Sequence, residues 1–432
     1  MIFASLFACT ILILTTSHVN GTYSRNETGA EQLWKLRATV ATSTYERLKK
    51  CLTFDRIYRF VYPSDAEEHF EELKHASAKF RGLKPHTGQG YYREKWIENY
   101  FIDSFLDRPL ADFSGLFPLF VQWTDYDKRE HDRDPHLTAN QRARLFQDVV
   151  KLLRHDVMYV TVSQANKGLA AVKRRHPNVL VINAGGDGNI PIPLIKGKIR
   201  RQPIPPHIAF PWHVGFVGHS EGHDISRVKA LRNVRNSVAA HNRRVQGEHS
   251  AAIETCEQYI RYDTHSSTDN STEWQYIMGG SLFNLAPRGF GRATFRLAEV
   301  MQMGRVPVYM YDDYPWIPYA GTPAGCDKLG FVVRGTRRAE VDDLVERIGN
   351  LLYAYGDCGG KVKESTIRRL LDAVEAQRFW YTYKGVVKQL KLFFSDPLDS
   401  SKKGLDGGGY LRCARVGHAE LVEPLNTKAM LD

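Results

Sequence analysis

Between Ser281 and Asp313 the chain reads SLFNLAPRGFGRATFRLAEVMQMGRVPVYMYDD. Arg288, Arg292 and Arg296 recur every fourth residue, Gly289 and Gly291 lie between the first two, and Glu299 follows one helical turn after the last. A diphosphate is the ligand such a set suits. Guanidinium forks pair with its oxygens, a glycine turn lets backbone amides approach it, and a helix N-terminus adds its positive dipole end. Glu299 could accept hydrogen bonds from a ribose in the same crevice. The alternative is a surface arginine cluster beside a solvated glutamate, because a lone GxG turn is weak evidence.

Positioning these residues takes a strand, a turn, a helix and a second strand, and the pattern supplies each. Phe283 and Leu285 end an apolar run, and Pro287 to Gly291 is a turn whose two glycines are free to take positive φ. Thr294 can cap the helix that follows, Phe295, Leu297, Val300 and Met301 fall near helical spacing, and Gly304 stops it. Val306 to Met310 is an apolar strand with Asp312 and Asp313 at its carboxyl end. That order is one βαβ unit of a parallel sheet, whose ligands sit at strand carboxyl ends beside helix N-termini.

The stretch resembles the signature of the exostosin family of glycosyltransferases. There a proline, Arg-Gly-x-Gly, a Ser/Thr-Phe-Arg-Leu run and a glutamate precede Gly-x-x-Pro-Val and an acidic pair. Pro287, Arg288, Gly289, Gly291, Thr294, Phe295, Arg296, Leu297, Glu299, Gly304, Pro307, Val308, Asp312 and Asp313 occupy those places. The resemblance covers roughly 213–376 well and the first half loosely. It implies an α/β chain of two Rossmann-like domains facing across a cleft, of GT-B type, with this segment in the donor-binding half. It implies inverting transfer of a hexose or pentose from a nucleotide diphosphate, usually uridine-linked, to a glycan or glycoprotein, with no metal and no cofactor besides the UDP-sugar substrate. Arg288 is then expected on the phosphates and Glu299 on the ribose, with Arg296 bracing the turn against Asp312 or Asp313. A further phosphate-binding arginine falls at Arg227 or Arg232. The aromatic-proline loop Tyr314 to Tyr319 offers rings to stack on a base or sugar. Two other readings stand beside this one: a catalytically silent subunit paired with an active homologue, and a lumenal protein that binds acidic glycans.

The rest of the 432 residues sets the context. A 43% hydrophobic and 25% charged composition is that of a globular protein long enough for two or three domains. Net charge is +11, yet no zinc-finger or RNP-like motif accompanies it, so nucleic acid is not the expected partner. An apolar run from Ile2 to Thr16 suits a signal-peptide core or a short membrane anchor, and the sequons at Asn26 and Asn270 agree with entry into the ER or Golgi lumen. Outside that run five cysteines remain: Cys51, Cys256, Cys326, Cys358 and Cys413. Their odd number leaves at least one free thiol, and Cys326 with Cys358 is a candidate disulfide, buried thiols being the alternative. The domain expectation is 1–24 leader, 25–50 stem, 51–205 acceptor-side domain, 206–395 nucleotide-sugar domain and 396–432 flexible tail.

In the first half, Thr53 to Tyr62 and Leu110 to Val121 read as strands, and Tyr91 to Leu106 as an amphipathic helix with core aromatics. Strands at Val157 to Val162 and Val179 to Asn183 follow, the second running into Ala184 to Gly188. Asp187 in that turn is the first candidate for the base that deprotonates an acceptor hydroxyl, the alternative being an aspartate that caps its own loop. Asp125 with Asp127, Asp132 with Asp134, and the group His219, Glu221, His223, Asp224 have metal-like spacing but read as polar surface. The proline-rich stretch from Pro191 to Pro211 is apolar enough to be a packed crossover between the halves.

Overall fold

The structure is a computed structural model that describes residues 48, 51, 62–81, 95–124, 139–167, 169–218, 225–249, 260–265, 273–352, 364–397 and 409–414. The leader, nearly all of the stem, most of the first expected strand, both sequons, both Asp-x-Asp pairs, the 219–224 cluster, Cys256 and Cys358 lie outside those residues.

Two parallel sheets carry the chain. The first contains β1 (Leu116–Leu119), β2 (Met158–Ser163), β3 (Val179–Asn183) and β4 (Ile190–Pro191), in that spatial order. These strands are buried throughout, as befits runs covered by helices on both faces. Helices α1 (Ala66–Ala78), α2 (Ile97–Phe105), α3 (Ala139–Val150) and α4 (Ala170–Arg175) belong to this half. The second sheet has the order β6-β5-β7-β8-β9, with β5 (Trp212–Val217), β6 (Tyr262–His265), β7 (Ser281–Pro287), β8 (Val306–Tyr311) and β9 (Phe331–Arg334). All its pairings are parallel. Between and around its strands run α5 (Ile225–His249), α6 (Glu273–Gly279), α7 (Phe295–Met303), α8 (Cys326–Leu329), α9 (Arg338–Leu352), α10 (Glu364–Gln377) and α11 (Tyr383–Ser395). The result is two Rossmann-like halves facing across a cleft, the expected fold class.

Local chemistry explains the boundaries. The expected strand from Leu110 begins instead as a 3-10 turn, Leu110–Phe113, because Ser114 (φ 49°) and Gly115 (φ 87°) bend the backbone before β1. The helical stretch after 363 is two helices, α10 and α11, split by a 3-10 turn at Arg378–Tyr381, and Thr382 caps the second by accepting from the Gly385 amide. That break lets α11 return to the first half. Tyr383 stacks on Tyr100 of α2 with ring centroids 4.1 Å apart, and Phe394 packs edge-on against Phe105 and Phe113. One apolar core therefore runs from β1–β3 through a face of α7 to α11, and a second lies under β5, β7 and β8. α11 thus packs against α2 and the Leu110–Phe113 turn, beside the first sheet.

The proline-rich stretch leaves the first core at Ile195 and enters the second at Ile208 and Phe210. Buried side chains pin its irregular backbone. Gln302 of α7 accepts from the Ile199 amide and donates to the Gly197 carbonyl. The Arg305 guanidinium, 1% exposed, donates to the carbonyls of Gln202, Pro203, Gly279 and Gly304 and lies 5.0 Å from the Phe210 ring centre.

Cysteine pairing differs from expectation. Cys326 is a buried free thiol, so it forms no bond with Cys358. Cys51 is bridged to Cys413. The tail expected to be flexible is docked where it is described: Leu411 is buried, Tyr410 packs edge-on against Trp380, and its amide donates to Gln389. Asn189 joins both ends of the chain, donating to the Cys51 carbonyl and accepting from the Ala414 amide. Among the described residues no helix is long and apolar enough to cross a membrane.

Candidate functional site

Strand β5 has β6 on one side and β7 on the other, so the order reverses between β5 and β7. At such a switch point the loops after adjacent strands diverge and leave a crevice at their carboxyl ends. Gly218, just after β5, and Pro287, the last residue of β7, both line a cavity of about 690 Å³. That volume falls within the range of small-molecule sites, about 300–1,000 Å³. The opposite wall comes from the carboxyl ends of the first sheet: Gln164, Ala165 and Asn166 after β2, Gly185 after β3, and Thr124 beyond β1.

The central stretch folds as its pattern predicts. Thr294 caps α7, its hydroxyl accepting from the Arg296 amide at 3.3 Å, and Gly304 ends the helix in the left-handed region (φ 73°). The glycines of the turn serve a different purpose from the one expected. Neither Gly289 nor Gly291 takes positive φ. Gly291 is needed for close approach, since a Cβ there would lie 2.0 Å from the Gly185 carbonyl oxygen of the other half. The turn thus touches the first half and faces the cleft.

The brace expected of Arg296 falls to another arginine. Arg288 is the brace: it meets Asp312 at 2.5 Å and Asp313 at 3.3 Å, and it does not line the cavity. Strand register explains this, because Pro287 sits opposite Met310 and brings the next residues of β7 and β8 together. Arg296 does line the cavity, ion-paired to Glu299 at 2.7 Å and donating to the Val217 carbonyl, rather than reaching the acidic pair. Glu299 is 6% exposed and also lines the cavity. Arg227, in the first turn of α5, reaches the Arg288 carbonyl at 3.0 Å and lines the cavity, whereas Arg232 is exposed one turn further along and does not. Gly289 and Gly291 are lining residues. Asp187 is not; it is half-buried beside Lys173, whose pKa burial lowers more than the aspartate raises it. Trp316 and Tyr319 of the aromatic-proline loop are buried in the core, and the indole of Trp316 donates to the Asn183 carbonyl.

Asp312 organises the turn. It accepts from Ser226 at the start of α5 as well as from Arg288 and the Asp313 amide. Burial draws its carboxyl upward, but these hydrogen bonds outweigh burial and hold its pKa well below the carboxylate range. A depressed carboxyl contributes stability that is present above the unfolded pKa and lost as pH falls through the folded one. Asp312→Asn is therefore expected to lower the thermal midpoint at pH 7, with the gap to wild type narrowing below about pH 4. Thermal scans across that range test it; a gap of the same size at pH 3 and pH 7 would count against the charge.

On the opposite wall the structure reveals Glu98, whose sequence context shows only an amphipathic helix. It is fully buried, and one carboxylate oxygen accepts from the Thr124 amide (3.1 Å), the Thr124 hydroxyl (2.6 Å) and the Gln164 amide (2.8 Å). Both partners line the cavity, so Glu98 shapes that wall without reaching it. Lys196 of the crossover and Trp96 at the start of α2 complete the wall. The rule that singled out the loop after β3 applies equally to β2, and it would have found Gln164 and Asn166.

The chain matches no protein-family model and no curated protein. Among solved structures it is similar to TarM (10% identity over 58% of this chain and 52% of that one, TM-score 0.31). It is also similar to sucrose-phosphate synthase from Thermosynechococcus elongatus (12%, 65% and 70%, TM-score 0.31). A third is the pneumococcal O-GlcNAc transferase GtfA, solved with UDP and GlcNAc (13%, 63% and 50%, TM-score 0.26). The chain spans about half the length of TarM and of GtfA. Likenesses at these TM-scores do not bear on function.

Proposed function

We propose that the chain is a glycosyltransferase that moves a sugar from a nucleoside diphosphate, uridine diphosphate in the first instance, onto a hydroxyl of a glycan or glycoprotein. One observation carries the reading: the capped N-terminus of α7, its glycine turn, Arg227 and Glu299 converge on a cavity between two Rossmann-like halves, at a strand-order switch point. Of the positions that resemble the exostosin signature, Pro287, Gly289, Gly291, Thr294, Phe295, Arg296 and Glu299 line that cavity, and Arg288, Asp312 and Asp313 brace its turn. In this reading the diphosphate lies at the α7 N-terminus within reach of Arg227, and the ribose hydroxyls donate to Glu299. The acceptor oxygen bonds to the anomeric carbon and gives up its proton to water as the bond from that carbon to phosphate oxygen breaks. The leaving diphosphate keeps the electron pair, and fixed amides and guanidinium groups stabilise its charge. The Cys51–Cys413 bridge supports a secretory-pathway setting, where such bonds persist.

Calorimetry with UDP tests the site. The full chain is expected to bind it. Glu299→Gln is expected to bind it about tenfold more weakly, the range for loss of a hydrogen bond to a charged group. A chain that takes up no UDP at millimolar concentration refutes the reading.

A second reading, a subunit that binds the donor but leaves turnover to a partner, is favoured by one feature. Among the described lining residues Glu299 is the only carboxylate, and it belongs to the donor half. UDP binding without donor turnover across a panel of acceptors would select it.

A further inference from the structure

Phe290 is 85% exposed, and it lines the cavity. Among the described residues two other large hydrophobics are exposed to a lesser extent, Tyr276 and Phe379, and neither borders the cavity. A lone exposed aromatic is ordinary on a protein surface. This one differs because its backbone is clamped on both sides. The Phe290 carbonyl accepts from Arg288, which Asp312 locks, and the next residue presses against Gly185 of the opposite half. The turn therefore fixes the backbone from which a bare ring projects into water, on the boundary between the two walls. Asn166 of the first half approaches the same turn, its Cβ 2.9 Å from where a Cβ on Gly291 would lie.

We propose that Phe290 is a stacking platform for one face of a saccharide ring, an inference that rests on the transferase reading. With the diphosphate at the α7 N-terminus and the nucleoside directed toward Glu299 and Phe216, what remains on the Phe290 side is the group beyond the outer phosphate. A pyranose presents hydroxyls at its edge and C–H groups on its face. A phenyl ring without hydrogen-bonding atoms receives such a face through apolar contact and disfavours one carrying axial hydroxyls. Phe290 thereby selects which sugar is held. The ring it receives belongs either to the donor sugar or to the acceptor, and the chemistry is the same for both.

Substitution at so exposed a site leaves the core untouched, so binding can be read directly. Wild type, Phe290→Ala and Phe290→Trp are titrated with UDP, then with UDP-glucose, UDP-galactose, UDP-N-acetylglucosamine and UDP-glucuronate. In a second arm they are saturated with UDP and titrated with cellobiose, lactose and maltose. UDP affinity is expected to be equal in all three proteins. In one arm at least one saccharide is expected to lose about threefold to tenfold with alanine, the range for an aromatic contact, and to recover with tryptophan. A loss confined to the UDP-sugars identifies the donor ring, and a loss confined to the disaccharides identifies the acceptor. Weaker binding of UDP itself by Phe290→Ala would place the ring on the nucleobase and overturn the proposal. So would a panel in which no saccharide distinguishes the three proteins. Wild type that binds no UDP removes the transferase reading first, before any variant is compared.

Discussion

Replacing Arg227 by alanine should lower affinity for UDP by about 10- to 100-fold while leaving the protein folded. The estimate follows from losing a charge-assisted hydrogen bond worth about 1.5–3 kcal/mol. Arg227 stands in the first turn of α5, lines the cavity and is aimed toward the glycine turn. Arg288→Ala should behave in the opposite way. It removes the partner of Asp312 and lies outside the lining, so its main effect should be a lower thermal midpoint, with UDP affinity falling less than in Arg227→Ala. Calorimetry and thermal unfolding of the two variants separate these roles. Equal affinity losses in both, or a larger one in Arg288→Ala, would overturn the assignment.

Arg305→Ala should cost about 3–5 kcal/mol of stability, the range for disrupting a buried, hydrogen-bonded charge. Its guanidinium serves four carbonyls drawn from the crossover, the end of α6 and the end of α7, all of which would be left to find water or go unpaired. Burial already lowers its pKa to about 10, so the charge is held at a cost that these acceptors offset. Arg305→Lys keeps a cation but loses the planar fork and should recover only part of the loss. Denaturant unfolding of both variants decides the matter; a loss under about 1 kcal/mol for alanine would mean the crossover is held by its apolar contacts alone.

How far the sequence reveals this molecule depends on how local each feature is. The βαβ unit from Ser281 to Asp313 was legible because apolar period, cap and stop are written within it, and Thr294 and Gly304 act as their residue types suggest. That Arg288 rather than Arg296 meets the acidic pair was not legible, because it is set by which residue of β8 lies opposite Pro287, a matter of register. Glu98 reads as the polar face of a helix. Only the return of the chain past Thr124 and Gln164 makes it an interior acceptor. The rule that picks out the loop after β3 does not say which of its residues faces the cavity: Gly185 does, and Asp187, two residues later, does not. The cysteines gave no means of choosing a pair, since the partners are 362 positions apart and meet through Asn189.

That bond also makes a covalent ring of nearly the whole folded chain. A protease that hydrolyses one peptide bond between 51 and 413 would produce two fragments that still travel together, parting only when a thiol is added. The ring cannot shut during synthesis until Cys413 has left the ribosome, so the Cys51 sulfur has no access to that partner until every strand of both sheets has been made.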